Sequence, residues 1–194
     1  MATTYIDISN RHIHLNKADL ETLFGEGYEL HVKNYLGKTD AQFAAEEMVT
    51  LVGPKGEIDR VRILGPLRSA TQVEILRGDC AKLGITAPVS MSGDLSEATD
   101  IDVVASNGNR LHLTKSVIIA LRHIHMPEDN AQELGLKNGD MVKVEIPGLR
   151  GGIMNNVKIK TYKAPAGTIN MMHVDREEGN ASGLNGMEIG NIII

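Results

Sequence analysis

The stretch Arg11-His12-Ile13-His14-Leu15 occurs a second time as Arg122-His123-Ile124-His125-Met126. Each copy precedes a short helical pattern, a turn ending in glycine and an apolar strand: Ala18–Phe24, Gly27 and Leu30–Val32, then Glu128–Leu134, Gly139 and Val142–Val144. The two copies are 111 residues apart at the start and 112 at the later turn, so one inserted residue accounts for the difference. A repeat of this length predicts a duplicated structural unit.

Short alternating apolar segments, separated by turn residues about every ten positions, predict a mainly β protein of barrel type. With the repeat, they predict two related β-barrel domains with a few short helices. We expect the first domain at 12–120 and the second at 121–194. The segment 1–11 should complete the second barrel, because Tyr5–Ser9 has a strand pattern and no nearby partner. Asn16 and Pro127 mark two helix starts, and Asp79 marks a third.

Composition excludes several classes of protein. The chain has 194 residues, 42% apolar and 23% charged, as in ordinary globular proteins. Its net charge of −5 argues against a nucleic-acid partner, and the 3% aromatic content argues against a base-stacking surface. No apolar run approaches the roughly 20 residues of a membrane span, so no membrane partner is expected. The single Cys80 cannot form an internal disulfide, which favours a reducing compartment.

The histidines are the strongest chemical signal. On a strand, a His-x-His pair directs both imidazoles to one face, where they can share a metal ion. For an isolated pair, surface or capping histidines are the commoner explanation, but two pairs at matching repeat positions favour ligands. His173 follows the apolar stretch Ile169–Met172, where it is either a ligand or a hydrogen-bonded core residue. Five imidazoles exceed the needs of one open zinc site, so we expect two metals. His31 and His112 are assigned as ordinary strand residues.

Two further charged residues are candidates for the same site. Glu74 lies in Gln72–Leu76; on a strand it would face away from the core, but Ser69 could instead cap a helix here. A lone glutamate is most often solvated. Arg68 follows the turn at Gly65-Pro66, and its planar guanidinium suits bidentate binding of phosphate oxygens. A surface ion pair is the alternative for Arg68.

Several blocks of the chain resemble the phosphate propanoyltransferase family, the PduL-type phosphotransacylases. They are Ser9–Leu15, Gly65–Arg68 running into Thr71–Ile75, Arg122–Met126, and His173–Asp175 with Glu178, Asn180 and Ala181. The resemblance covers essentially the whole chain, with the blocks in order and in register. The sequence departs from the family pattern at Arg176–Gly179.

The resemblance implies two β-barrels with the active site between them, and reversible acyl exchange between coenzyme A and inorganic phosphate. By family pattern, one zinc ion is held by His12, His14 and Glu74 and also meets the coenzyme A sulfur. A second zinc ion, with open water positions, is held by His123, His125 and His173. Arg68 matches the phosphate-handling arginine. The expected coenzyme A contacts are Ser9, Lys33, Arg62, Leu64 and Asn180.

The expected substrates are therefore acyl-CoA and phosphate, and the products are coenzyme A and acyl phosphate, with propionyl or acetyl as the acyl group. No serine in a Gly-x-Ser-x-Gly context is present, and Cys80 has no evident histidine partner in the sequence, which favours direct phosphate attack over an acyl-enzyme. Two alternatives stay open: a dinuclear zinc thioester hydrolase, and a non-catalytic metal-binding barrel module.

The expected location is the cytoplasm. Family members of bacterial microcompartments carry an amphipathic extension, for which the strand at Tyr5–Ser9 leaves no room. A microcompartment is the alternative if the native chain is longer. The apolar end Ile192-Ile193-Ile194 indicates a buried or subunit-contacting terminus, so a homo-oligomer is also an expectation.

Overall fold

The structure is a computed structural model that describes residues 2–36 and 42–194. These residues form fourteen strands and four short helices, which confirms the expected mainly β fold. The strands are β1 Thr3–Ser9, β2 His12–His14, β3 Val32–Tyr35, β4 Phe43–Val52, β5 Glu57–Gly65, β6 Gln72–Glu74, β7 Val89–Ser90, β8 Thr99–Ala105, β9 Arg110–Ala120, β10 His123–Pro127, β11 Met141–Ile146, β12 Gly152–Tyr162, β13 Met171–Asp175 and β14 Glu188–Ile193. The helices are α1 Lys17–Phe24, α2 Arg77–Leu83, α3 Glu128–Glu133 and α4 Arg176–Ser182.

The chain divides into two compact units, each built on one closed six-stranded ring. The unit Arg11–Ile119, here the N-barrel, closes in the order β4-β5-β2-β6-β9-β8, with β3 and β7 added at β4 and β9. The unit formed by Met1–Asn10 and Ala120–Ile194, here the C-barrel, closes in the order β1-β13-β10-β12-β11-β14. Because β1 pairs with β13 and β14, the first strand of the chain is part of the C-barrel.

The two rings have the same pattern of strand pairing. In the N-barrel, β2 pairs parallel with β5 and antiparallel with β6, which in turn pairs parallel with β9. In the C-barrel, β10 pairs parallel with β12 and antiparallel with β13, which pairs parallel with β1. The sequence repeat is therefore a repeat of fold, and the His-x-His strands β2 and β10 are equivalent.

One detail of the predicted repeat is wrong. The apolar strand expected at Leu30–Val32 begins only at Val32, and it lies outside the ring. The strand that takes the ring position of β11 is β4. Tyr28 and Leu30 instead pack on the core from a loop, while His31, also outside a strand, binds Glu47. Tertiary packing therefore overrides the local strand pattern here.

Each ring encloses its own apolar core. Six inward-facing side chains occupy equivalent places next to the His-x-His strands: Ile13, Ile63 and Val73, and Ile124, Ile159 and Met172. The histidines are the immediate chain neighbours of Ile13 and Ile124. Because side chains alternate between the two faces of a strand, the histidines lie on the face opposite the core. The core thus fixes which way the histidines point.

The three predicted helix starts lie at or within a few residues of observed ones. Asn16 caps α1 by accepting a hydrogen bond from the backbone N–H of Asp19 at 2.8 Å, and Pro127 directly precedes α3. Asp79 is the third residue of α2 and accepts from the backbone N–H of Leu76 at 2.9 Å. Among the helices that the structure describes, none has the length and apolar character needed to cross a membrane.

Candidate metal centres and acyl-transfer site

The N-barrel brings together His12, His14 and Glu74. Both histidines lie on β2, and Glu74 lies directly opposite His12 on the antiparallel strand β6. All three are buried, and one candidate ligand atom from each lies within 4.8 Å of the others. His12 Nε2 and Glu74 Oε2 are 3.5 Å apart. Two imidazoles and one carboxylate form a ligand set of the kind found in catalytic zinc sites.

The protonation of His14 suits a metal ligand. Its Nδ1 donates to the carbonyl oxygen of Leu64 at 3.2 Å, which leaves the lone pair on Nε2. Burial lowers the pKa of His14 to about 3, helped by the nearby His12 and the positive charge of Arg68. The ring is therefore neutral at pH 7, the form that binds a metal ion.

The C-barrel brings together His123, His125 and His173. Their ring centroids lie 4.8, 5.0 and 5.4 Å apart, and the Nε2 atoms of His123 and His125 are 3.1 Å apart. His123 Nδ1 donates to the carbonyl of Leu121 at 2.9 Å, which again leaves the lone pair on Nε2. Burial, with His173 and His123 adding to it, lowers the pKa of His125 to about 3. Asp7 Oδ2 lies 3.7 Å from His173 Nδ1.

The third member of each set occupies an equivalent position. His12 is paired with Glu74 across β2 and β6, and His123 is paired with His173 across β10 and β13. The sequence repeat alone does not show this, because the two residues differ in type and the chain between the strands differs in length. The matching strand register therefore shows that the two sets have the same arrangement in the two barrels.

A salt bridge braces each set in the same way. Arg11, just before His12, donates from Nε and Nη2 to Asp79 at 2.7 and 2.9 Å. Arg122, just before His123, lies with Nε 2.9 Å from Glu178 Oε1. Asp79 is the third residue of α2, which follows β6, and Glu178 is the third residue of α4, which follows β13. Each carboxylate also takes part in capping the start of its helix. The segment Arg176–Gly179, where the sequence departs from the family pattern, is the start of α4.

Arg68 lies half-buried next to the N-barrel set. Its backbone N–H donates to the Leu15 carbonyl at 2.9 Å, and its Nη1 donates to Ser92 Oγ at 3.2 Å. Burial lowers the pKa of the Arg68 guanidinium, while the charge of Glu74 opposes this shift. Sequence reasoning missed Ser92, because it lies 24 residues away in a loop with no motif.

The residues expected at coenzyme A have diverse surroundings. Arg62 is the register neighbour of His12, and its Nη1 donates to the carbonyls of Ala45 and Glu46, both at 2.9 Å. Lys33 on β3 and Asn180 on α4 are exposed, whereas Ser9, which donates to the Val174 carbonyl at 3.4 Å, and Leu64 are half-buried. Their contact with coenzyme A stays a prediction.

Known proteins give the same assignment as the sequence motifs. A family profile described as phosphate propanoyltransferase matches residues 5–185. A phosphate propanoyltransferase of Rhodopseudomonas palustris (strain BisB18) is 49% identical over 91% of this chain and 76% of the relative. Proteins of the same name from Thermotoga maritima and Salmonella typhimurium are each 48% identical, over 93% and 92% of this chain and 84% and 82% of their own lengths.

Fold and side chains together define a duplicated barrel protein with a candidate metal-binding group, His12, His14 and Glu74, in the N-barrel and a cluster of three histidines in the C-barrel. The matches identify it further: the chain belongs to the phosphate propanoyltransferase family, a family of acyltransferases. The resemblance inferred from the sequence motifs is thereby confirmed.

Proposed function

We propose that this protein reversibly transfers a short acyl group, propionyl or acetyl, between coenzyme A and inorganic phosphate. Family membership supports the reaction class. The observation that carries the proposal furthest is the equivalence of the two ligand sets, His12 opposite Glu74 and His123 opposite His173. Duplication of a whole three-residue set is what a two-metal reaction requires, and a single structural metal site would not need it.

We further propose that each set holds one zinc ion, so that the protein binds two. The donor types fit zinc, because imidazole and carboxylate are its common ligands. The low pKa of His14 and of His125 also fits, since neither ring must lose a proton to bind. When bound, zinc supplies Lewis acidity toward a thioester carbonyl or a departing thiolate.

The protein's own groups then account for binding and orientation. Arg68 holds phosphate through its planar fork while Ser92 fixes the guanidinium. A phosphate oxygen forms the new bond to the acyl carbon as the carbon–sulfur bond breaks, and coenzyme A leaves as its thiolate. Coenzyme A is held by Ser9, Lys33, Arg62, Leu64 and Asn180. Positioning both reactants in this way lowers the barrier by several kcal/mol.

An assay of thiol release from propionyl-CoA, with and without phosphate, tests this reaction. We expect release to require phosphate and to be matched one-to-one by acyl phosphate, trapped as the hydroxamate. Release without phosphate would favour the thioester hydrolase, and no release in either condition would favour the non-catalytic module. His125→Ala should abolish release. His112→Ala, the same change at an exposed histidine of β9 that binds Asp102, should leave it unchanged.

We also propose a cytoplasmic location, which the unpaired and buried Cys80 thiol supports. A fluorescent fusion of the full native reading frame should be diffuse in the cell. Puncta that coincide with microcompartment shell proteins would contradict this location.

A further inference from the structure

Gln72 is a buried side chain with three hydrogen bonds next to the N-barrel set. It lies two residues before Glu74 on β6 and is 2% exposed. Its Nε2 donates to Glu74 Oε1 at 2.6 Å and to Ser92 Oγ at 2.9 Å, and its Oε1 accepts from the backbone N–H of Gly93 at 2.7 Å. A backbone N–H can only donate, so the amide oxygen must face Gly93 and the amide nitrogen must face Glu74.

This arrangement gives the two carboxylate oxygens of Glu74 different partners. Oε1 accepts from Gln72, while Oε2 faces His12 Nε2 at 3.5 Å, on the side of the ligand set. The hydrogen bond from Gln72 thus fixes the rotation of the Glu74 carboxylate about its Cγ–Cδ bond. Oε2 is left as the oxygen that can bind an ion together with the two imidazoles.

The C-barrel provides an internal comparison. His14 is paired with Gln72 across β2 and β6, and His125 is paired with Met171 at the equivalent place across β10 and β13. The third residue of the C-barrel set is His173, whose Nδ1 faces the carboxylate of Asp7 rather than an amide. The amide therefore occurs in the barrel whose third residue is a carboxylate, and methionine occurs in the barrel whose third residue is an imidazole.

We propose that Gln72 is a positioning residue for the metal site of the N-barrel. It orients Glu74 so that Oε2 faces the ion, and through Ser92 it links that carboxylate to the guanidinium of Arg68. The inference rests on the proposed function, because it takes Glu74 to be a metal ligand. Partners that orient metal ligands in this way change metal affinity by roughly 10–100-fold.

Substitution of Gln72 by methionine, the residue of the C-barrel, tests this role. Methionine is near-isosteric but cannot donate. The full-length protein would be freed of metal and titrated with Co²⁺ in competition with a chelator, with the visible spectrum reporting coordination. Gln72→Met should weaken one of the two sites by roughly 10–100-fold and leave the other unchanged. Gln132→Met, the same change on the exposed face of α3, serves as the control.

A second pair of variants separates the hydrogen bond from Gln72 to Glu74 from the contacts through Ser92 to Arg68. Gln72→Asn keeps an amide but is one methylene shorter, so it should also weaken one site; it carries the test if the methionine variant does not fold. Ser92→Ala should raise the phosphate KM while both sites keep wild-type affinity.

The outcomes distinguish this proposal from the proposed function. If the wild-type protein binds two Co²⁺ ions and both Gln72 variants do so with unchanged affinity and spectrum, the role of Gln72 is overturned and the function stands. If the wild-type protein binds no metal, the proposed function and the role of Gln72 fail together.

Discussion

Removal of the Arg11 side chain should destabilise the N-barrel more than the equivalent change destabilises the C-barrel. Arg11 makes two charge-assisted hydrogen bonds to Asp79, whose side chain is only 8% exposed, whereas Arg122 makes one such contact to Glu178, which is 23% exposed. Each charge-assisted bond contributes about 1.5–3 kcal/mol, less where water has access. We therefore expect Arg11→Leu to cost about 2–4 kcal/mol and Arg122→Leu about 1–2 kcal/mol.

Thermal melting of the two variants measures this difference. For a chain of this size, 1 kcal/mol corresponds to a shift of about 2–4 °C, so Arg11→Leu should melt about 5–15 °C below wild type. Asp79→Asn keeps a side-chain oxygen for the Leu76 N–H but loses the charge. In that background Arg11→Leu should have little further effect. A shift below about 1 °C for Arg11→Leu, or additive effects in the double variant, would refute the reasoning.

Three other predictions concern separate parts of the molecule. Arg68→Lys should raise the phosphate KM about tenfold to several hundredfold with an unchanged melting temperature, because lysine offers a point charge in place of a fork; normal phosphate kinetics with a lowered melting temperature would mean that Arg68 only braces its turn. His31 and Glu47 should stabilise each other only within a pH window. Hydrogen bonding and charge from Glu47 raise the pKa of His31 above 6.5. Burial acts to raise the pKa of Glu47, but hydrogen bonds, the strongest from the His31 side chain, outweigh it and lower that pKa below 4.5. The contribution of His31 is complete below pH 6.5 and is lost as pH rises through its raised pKa, and that of Glu47 is lost as pH falls through its lowered pKa. In the Glu47→Gln variant, an NMR titration should give His31 a pKa of about 6.5. A His31 pKa unchanged from that of the wild-type protein would contradict the pairing. Gly65→Ala should lower stability by about 1–3 kcal/mol, because a Cβ there would lie 2.1 Å from Phe43 Cζ; Phe43→Leu in the same chain should recover part of the loss, and a neutral Gly65→Ala would show that the strand can shift.

Local patterns were sufficient to predict the histidine pairs and the barrel class. His12 and His14 fall on one strand face by alternation alone, and their recurrence predicted duplication. The pattern around Glu74 was ambiguous between strand and helix. The structure resolves it as the strand Gln72–Glu74, because pairing with β2 on one side and β9 on the other satisfies its backbone groups.

The contacts that orient the site could not be predicted from the sequence. They join residues far apart in the chain, as in the bonds of Asp79 to Arg11 and of Ser92 to Arg68. Register across a closed ring decides which side chains face each other, and a shift of one residue would turn Glu74 toward the core. The strand assignment of His31 is wrong for a related reason: the strand pattern is local, whereas the hydrogen bond of His31 to Glu47 joins residues 16 positions apart.

Metal content of purified variants tests the central claim of two equivalent metal sites most directly. Elemental analysis of the wild-type protein should give two zinc ions per chain. Glu74→Ala and His173→Ala should each retain about one ion, and the double variant should retain none, with far-UV spectra unchanged. A wild-type protein without transition metal whose acyl transfer survives chelation would contradict the account, as would an unchanged metal count in both single variants.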